Sequence, residues 1–392
     1  VTRLAAFPSL RPRDPEQAHR VATPLELIFD LVFVVAVGRA SLELHHALAE
    51  RHFADGLVGY AVVFFAIYWA WLNFTWFASA YDSDDWLYRV LTFLQMGGVL
   101  VLTAGIHDVF STEPDARLVI VGYVVMRLAL VSQWLRAAAS DSLRRRVTQA
   151  YAGGIVAVQV LWVLGLLLPD GAFLGVFVVL VAAEVAVPAV AERRGEPTPW
   201  HPHHIAERYG LFTLIVLGET ILASANAVVE AVEEGHEVPA LVLLSASGLV
   251  LVAGMWWIYF DRPQHHLLTS PRYAFAWGYG HYFVFGSAAA VSAGIELLIE
   301  VELGHSELSR TAAAAVVSVP VAVFVLFVWA FVLRRRRDRV LDAVLPVAVL
   351  LLGLAAFVPG TIVVVAVLIA LVAGLVTVRG RPAPGRALNP GG

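Results

Sequence analysis

Apolar runs of membrane-crossing length recur along the whole chain, separated by short polar breaks. They cover about 24–48, 56–80, 87–109, 116–138, 147–168, 172–190, 205–229, 239–260, 273–301, 310–333, 340–357 and 360–378. A hydrocarbon core about 30 Å thick calls for roughly 20 apolar residues per helix. The pattern therefore predicts an all-α integral membrane protein of about twelve transmembrane helices. The narrowest break, Val358-Pro359-Gly360, demands a tight turn, which Pro and Gly supply.

The longest break, 191–204, is rich in Pro and charge and contains Glu192-Arg193-Arg194-Gly195-Glu196-Pro197. It reads as a cytoplasmic linker between a first six-helix repeat, 21–190, and a second, 205–380, flanked by cytoplasmic tails at 1–20 and 381–392. Weak self-similarity supports the division: Glu26 and Glu207 are 181 positions apart, Trp71 and Trp257 are 186 apart, and Ala104-Gly105-Ile106 and Ala293-Gly294-Ile295 are 189 apart. Because six is even, both repeats start on the same side, so they are expected to be parallel. No loop can hold a soluble domain, which puts the function in or at the bilayer.

Composition agrees with the pattern. Hydrophobic residues make up 59% and charged residues 15%, with a mean hydropathy of +0.75, against about 45–50% and about 25% in soluble domains. The absence of cysteine excludes disulfides and thiolate metal sites, and all 27 basic residues are arginine, which excludes lysine Schiff-base chemistry. The arginines also give an orientation. With the N-terminus in the cytoplasm, Arg3, Arg11, Arg13, Arg20, Arg144 to Arg146, Arg193, Arg194, Arg334 to Arg337, Arg339, Arg379, Arg381 and Arg386 fall inside, leaving Arg51, Arg117 and Arg310 at outer loops, which carry acids such as Glu234 and Glu237. The expected location is the inner (plasma) membrane with both termini cytoplasmic. The first twenty residues hold no apolar core and read as a tail rather than a signal peptide.

Three linked motifs then point to a family. Thr23-Pro24-Leu25-Glu26-Leu27-Ile28-Phe29-Asp30-Leu31, Trp76-Phe77-Ala78-Ser79-Ala80-Tyr81-Asp82-Ser83-Asp84-Asp85 running to Arg89, and His204-Ile205-Ala206-Glu207-Arg208-Tyr209-Gly210 through Leu217-Gly218-Glu219-Thr220 resemble the bacterial low-temperature-requirement protein A (LtrA) family. The resemblance spans about residues 20 to 380 and implies a multi-spanning membrane protein, with no substrate to carry over. Phe29-Asp30-Leu31 is also loosely similar to the Phe-Ser-Asp motif of potassium channels built from six-helix repeats, but this chain lacks the Ser and has Glu26 where those channels tend to have Arg.

Ionisable groups inside the spans carry the candidate chemistry, since each costs about 2.5–3.5 kcal/mol to insert. Thr23, Pro24 and Glu26 fit a capping box, which offers Glu26 a purely structural role. Asp30 lies one turn further in on the same face and is too deep to cap. Glu219 falls near mid-span in the seventh helix, Arg127 in the middle of the fourth, and His281 in the ninth. Arg127 needs a buried acid, with Asp30, Glu219 and Glu184 as candidates. Glu207 and Arg208 read as interfacial or as guards of the cytoplasmic entrance, together with Glu26. Asp84 and Arg89 mark an inner loop whose acids either cap the third helix or form an ion-attracting vestibule, and Arg39 and Glu43 are spaced to form an ion pair. His201, His203 and His204 are interrupted by Pro202, so no metal site is expected, and Trp69, Trp71, Trp76, Trp256 and Trp257 read as an interfacial belt.

No phosphate loop or catalytic motif occurs, and neither enzyme activity nor a cofactor is expected. The leading expectation is a transporter, proton- or cation-coupled, with Asp30, Glu219, Arg127 and His281 along the substrate or ion pathway. A cation channel of the same architecture and a non-transporting scaffold or sensor are the alternatives. The expected partners are the lipid bilayer and a small solute or ion, with homo-oligomerisation open and no nucleic acid.

Overall fold

Polar residues at the edges of the apolar runs start the helices. Thr23 and Glu26 form a reciprocal capping box, with Pro24 at the first helical position, and open α1 (Pro24–Ala49). Asp85, Ser270, Ser309 and Asp338 each accept a backbone N–H bond at the start of a later helix. The computed structural model describes residues 9–14, 17, 20–111, 113–169, 173–233 and 238–380. Arg3, Arg381, Arg386, Glu234, Glu237, most of the expected N-terminal tail and the C-terminal tail lie outside the described residues.

After α1 come α2 (Phe53–Tyr81), α3 (Trp86–Ala104), the one-turn α4 (Ile106–Val109), α5 (Arg117–Ser140), α6 (Arg145–Gly165) and α7 (Phe173–Ala191). Then follow α8 (Pro202–Glu233), α9 (Val238–Phe260), α10 (Pro271–Leu303), α11 (Arg310–Phe331), α12 (Arg339–Leu354) and α13 (Thr361–Gly380). Among the described residues there is no strand, and ten helices are long and apolar enough to cross a membrane. Those ten do not include α1 and α8. Both of these helices nonetheless turn apolar side chains outward. On α1, Leu27, Ile28, Leu31 and Val35 are 39–55% exposed while Glu26 and Asp30 are fully buried, the reverse of a water-soluble amphipathic helix.

The chain divides into two compact units, Val1–Ile215 and Val216–Gly392, so the first unit takes in the start of α8. In the first unit α2 is the innermost element, with 78% of its apolar window buried. Beside it, α3 and α5 run antiparallel at a separation that only glycine allows. A methyl group on Gly98 would sit 2.8 Å from the Gly122 carbonyl oxygen, and one on Gly122 would strike the backbone of Leu102. The same helices share a buried polar ladder, in which Gln95 Nε2 donates to Gln133 Oε1 at 3.1 Å and Gln133 Nε2 to Thr92 Oγ1 at 3.4 Å. In the second unit α10 is the most buried helix and meets α11 at Gly294, where a methyl group would strike the Val316 carbonyl.

Gly122→Ala should therefore lower stability by about 1–3 kcal/mol, read as a drop in the thermal unfolding midpoint of the detergent-solubilised protein. Gly97→Ala, whose methyl group would meet nothing within 4 Å, is the control and should leave the midpoint unchanged.

Candidate functional site

The beginnings of α1 and α8 lie side by side and point the same way, so that their i, i+4 positions interlock. Arg208 reaches both acids of α1. Its Nη2 donates to Asp30 Oδ1 at 2.6 Å, its Nε to Asp30 Oδ2 at 3.2 Å, and its Nη1 lies 2.9 Å from Glu26 Oε1. His204, one turn earlier, places Nε2 3.0 Å from the same Glu26 oxygen. The other Glu26 oxygen accepts the Thr23 N–H at 2.8 Å, so the capping group is also a member of the buried cluster. Trp71 Nε1 completes the Asp30 shell with a 2.7 Å bond, and the Trp71 ring packs on Tyr209 and Phe212 at 4.9 and 4.5 Å between centroids. All four ionisable side chains are at most 1% exposed.

A second arginine approaches the same end of the unit. Arg20 donates to the carbonyls of Ala78 and Ser79 at the end of α2 and lies 3.8 Å from Asp82. Burial pushes the Asp82 carboxyl above its ordinary range, the charge of Glu26 adds to this, and Arg20 opposes it. His201 is anchored by Gln17, whose carbonyl lies 2.7 Å from its Nε2, and burial lowers the basicity of its ring. In the loop between α2 and α3, Asp84 forms a two-pronged, solvent-exposed pair with Arg89 at 2.8 Å, and the hydrogen bond from Arg89 holds its carboxyl below the usual range. Asp85 caps α3 through Tyr88 N and also pairs with Arg136.

Arg127 belongs to a separate buried cluster. Of its three candidate acids the structure selects Glu184, with Nη2 2.9 Å from Oε2. Glu184 also accepts from Trp69 Nε1 at 3.0 Å, Tyr123 Oη at 2.9 Å and Gln159 Nε2 at 2.8 Å. One carboxylate on α7 thereby gathers donors from α2, α5 and α6, and its single charge is matched by one guanidinium. Arg39 and Glu43 form the expected ion pair at 2.5 Å, and His107 Nδ1 joins Glu43 at 3.0 Å.

Several sequence expectations change. Arg208 does not snorkel to an interface: α8 already begins at Pro202, which sets the side chain one turn past His204 against α1, and it is fully buried. Trp69 and Trp71 are likewise no belt, since they are 2% and 0% exposed and donate to buried carboxylates. Asp30 and Arg127 do not meet. In the second unit Glu219 is half-buried and forms no ion pair among the described residues. His281 has both ring nitrogens engaged, Nδ1 with the Trp277 carbonyl at 2.7 Å and Nε2 with Tyr259 Oη at 3.0 Å. A carbonyl can only accept, so Nδ1 carries a proton. Glu207, in the first unit, sits half-buried beside the Glu26–Arg208 cluster.

Sequence reasoning missed His204 and Trp71 as members of the site. The i, i+4 spacing of His204 and Arg208, equal to that of Glu26 and Asp30, was the available signal.

Comparison with known proteins agrees with the motifs. The bacterial low temperature requirement A protein (LtrA) family profile matches residues 21–378, and the chain belongs to that family. An uncharacterized protein of Rhizobium meliloti (strain 1021) is 28% identical over 293 residues, which cover 69% of this chain and 67% of that protein.

The matched pair at Glu184 can be tested by stability. Arg127→Met strands a buried carboxylate and should cost about 3–5 kcal/mol, whereas Arg127→Met with Glu184→Gln, which keeps an acceptor for the surrounding donors, should recover most of that loss in thermal unfolding.

Proposed function

We propose that this LtrA-family chain is a proton-coupled transporter of a small solute in the inner (plasma) membrane. It would have twelve spans in two parallel six-helix halves and both termini in the cytoplasm. The observation that carries this reading is the unequal charge of the cluster between α1 and α8. Glu26 and Asp30 share the one guanidinium in contact with them, Arg208, two carboxylates against one, with His204 as the remaining base, while Asp82, Arg20 and Arg13 stand at the rim. Arginine does not give up its proton. The charges in contact between the two helices therefore balance when one further proton is held, on the imidazole or a carboxylate, and without it the two acids rest on the field of Arg20 and Arg13 at the rim. Tyr88, which is fully buried and feels the charges of Asp82 and Glu26, also faces the cluster, and Glu207 lies on its flank with His203.

Loss of that proton leaves excess negative charge where the two helices are joined, which gives the joint two states of different strength. A solute that binds one state better would then be coupled to the proton. Support for counting α1 and α8 as spans comes from their outward apolar faces, which on α8 include Leu214, Ile221 and Leu222 at 42–54% exposure. Glu219 supplies a carboxylate without an ion pair in the second unit. Arg127 and His281, engaged as described, take no part.

A second reading has its own observation. Asp30 is closed on by Arg208 and Trp71, as a non-transporting scaffold or sensor would require. The two readings separate in membrane vesicles loaded with a defined mixture of small solutes. Under an imposed pH gradient, mass spectrometry should find at least one solute accumulated about tenfold by the wild type, with the accumulation lost in Glu26→Gln and in His204→Gln. Accumulation indifferent to the gradient or to both substitutions would sink the proton assignment, and no accumulation by the folded wild type would leave the scaffold reading.

A further inference from the structure

The arginine run that follows α11 is sorted by the structure into distinct tasks. Arg336 pairs with Asp261 at 2.8 Å, and Arg334 stacks over the Trp329 ring at 5.5 Å. Arg335 and Arg337 instead turn to an open pocket of about 590 Å³ at the start of α10, whose wall includes Arg272, Tyr273, Ser270 and His266. Every charged residue in its lining is an arginine.

Three details make this concentration of positive charge unusual. Arg272 stands in the first turn of α10, a turn with no acidic residue, where the helix dipole already presents positive charge. Arg337 is held at φ 53°, a left-handed conformation uncommon outside glycine. Arg335 lies 3.9 Å over the Tyr273 ring, a contact that positions the guanidinium without cancelling its charge. Neither Arg272 nor Arg337 forms an ion pair among the described residues. The pocket lies where one candidate span begins at Pro271 and another ends at Arg336, the depth at which lipid headgroups sit.

We infer that this pocket binds a phosphate group, presented either by an anionic phospholipid headgroup or by a soluble phosphate ester. The planar guanidiniums suit two-pronged contact with phosphate oxygens, and the opening at the helix ends admits ligands of either kind. The assignment concerns the second unit alone and does not depend on transport.

The test uses the full chain in detergent, titrated with short-chain phosphatidylglycerol, short-chain phosphatidylcholine and inorganic phosphate. Native mass spectrometry reads lipid binding and calorimetry reads phosphate. Phosphatidylglycerol should bind in clear preference to phosphatidylcholine, or phosphate should give a saturable heat. Arg272→Gln with Arg335→Gln should weaken that binding about 25-fold, roughly fivefold per arginine, while Arg117→Gln, an exposed cation of the first unit, should not change it. Preference for the anionic lipid without a phosphate heat names the headgroup as the source, and a phosphate heat shows that the soluble group suffices. Equal binding of the two lipids with no phosphate heat, or binding that survives in the monodisperse double variant, would overturn the inference.

Discussion

A guanidinium buried in a helical bundle keeps its charge, and everything around it must answer that charge. In the first unit Arg208 sets the register of α1 against α8, because only with residue 26 beside 204 and 30 beside 208 can one side chain meet both acids. The capping box at Thr23 fixes where α1 begins, and thus the height at which Glu26 and Asp30 stand. Trp71 ties α2 into the same arrangement through Asp30. Helix start, helix register and central-helix position therefore follow from one side chain's demand for partners.

The two most deeply buried arginines of this unit, Arg127 and Arg208, show how the same chemistry serves different ends. Around Glu184 the charges match one to one, and the carboxylate accepts from four separate side chains. Such a site is costly to break and has no reason to change state. Around Arg208 the numbers do not match, and the nearest remaining base is a histidine, the side chain most easily moved between charge states near neutrality.

The helices were legible in the sequence because length and apolarity are local quantities. Each of the twelve apolar runs coincides with a long helix, and the Pro-Gly break at 359–360 separates α12 from α13. Partner choice was not legible. Glu184 stood among three possible acids for Arg127, and nothing local to either residue ranks them across a separation of 57 positions. The apparent alignment of Glu26 with Glu207 drew attention to the right helices but the wrong residue, since it is Arg208 and His204 that face α1. Trp69 and Trp71 misled because their position near span ends fits an interfacial belt, while the decisive fact, a carboxylate on another helix, lies far away in sequence.

The distance along the chain between Asp30 and its guanidinium also bears on how the protein is made. Arg208 is joined to the growing polypeptide 178 residues after Asp30, a delay on the order of 10–40 s at ordinary rates of synthesis. For that interval the two acids at the start of α1 lack the guanidinium that contacts them, and lipid is a poor place for a carboxylate to wait. Helix α1 thus leaves the ribosome well before it can reach its final setting, and its acids must be sheltered by water, by the insertion machinery or by a borrowed partner until α8 arrives.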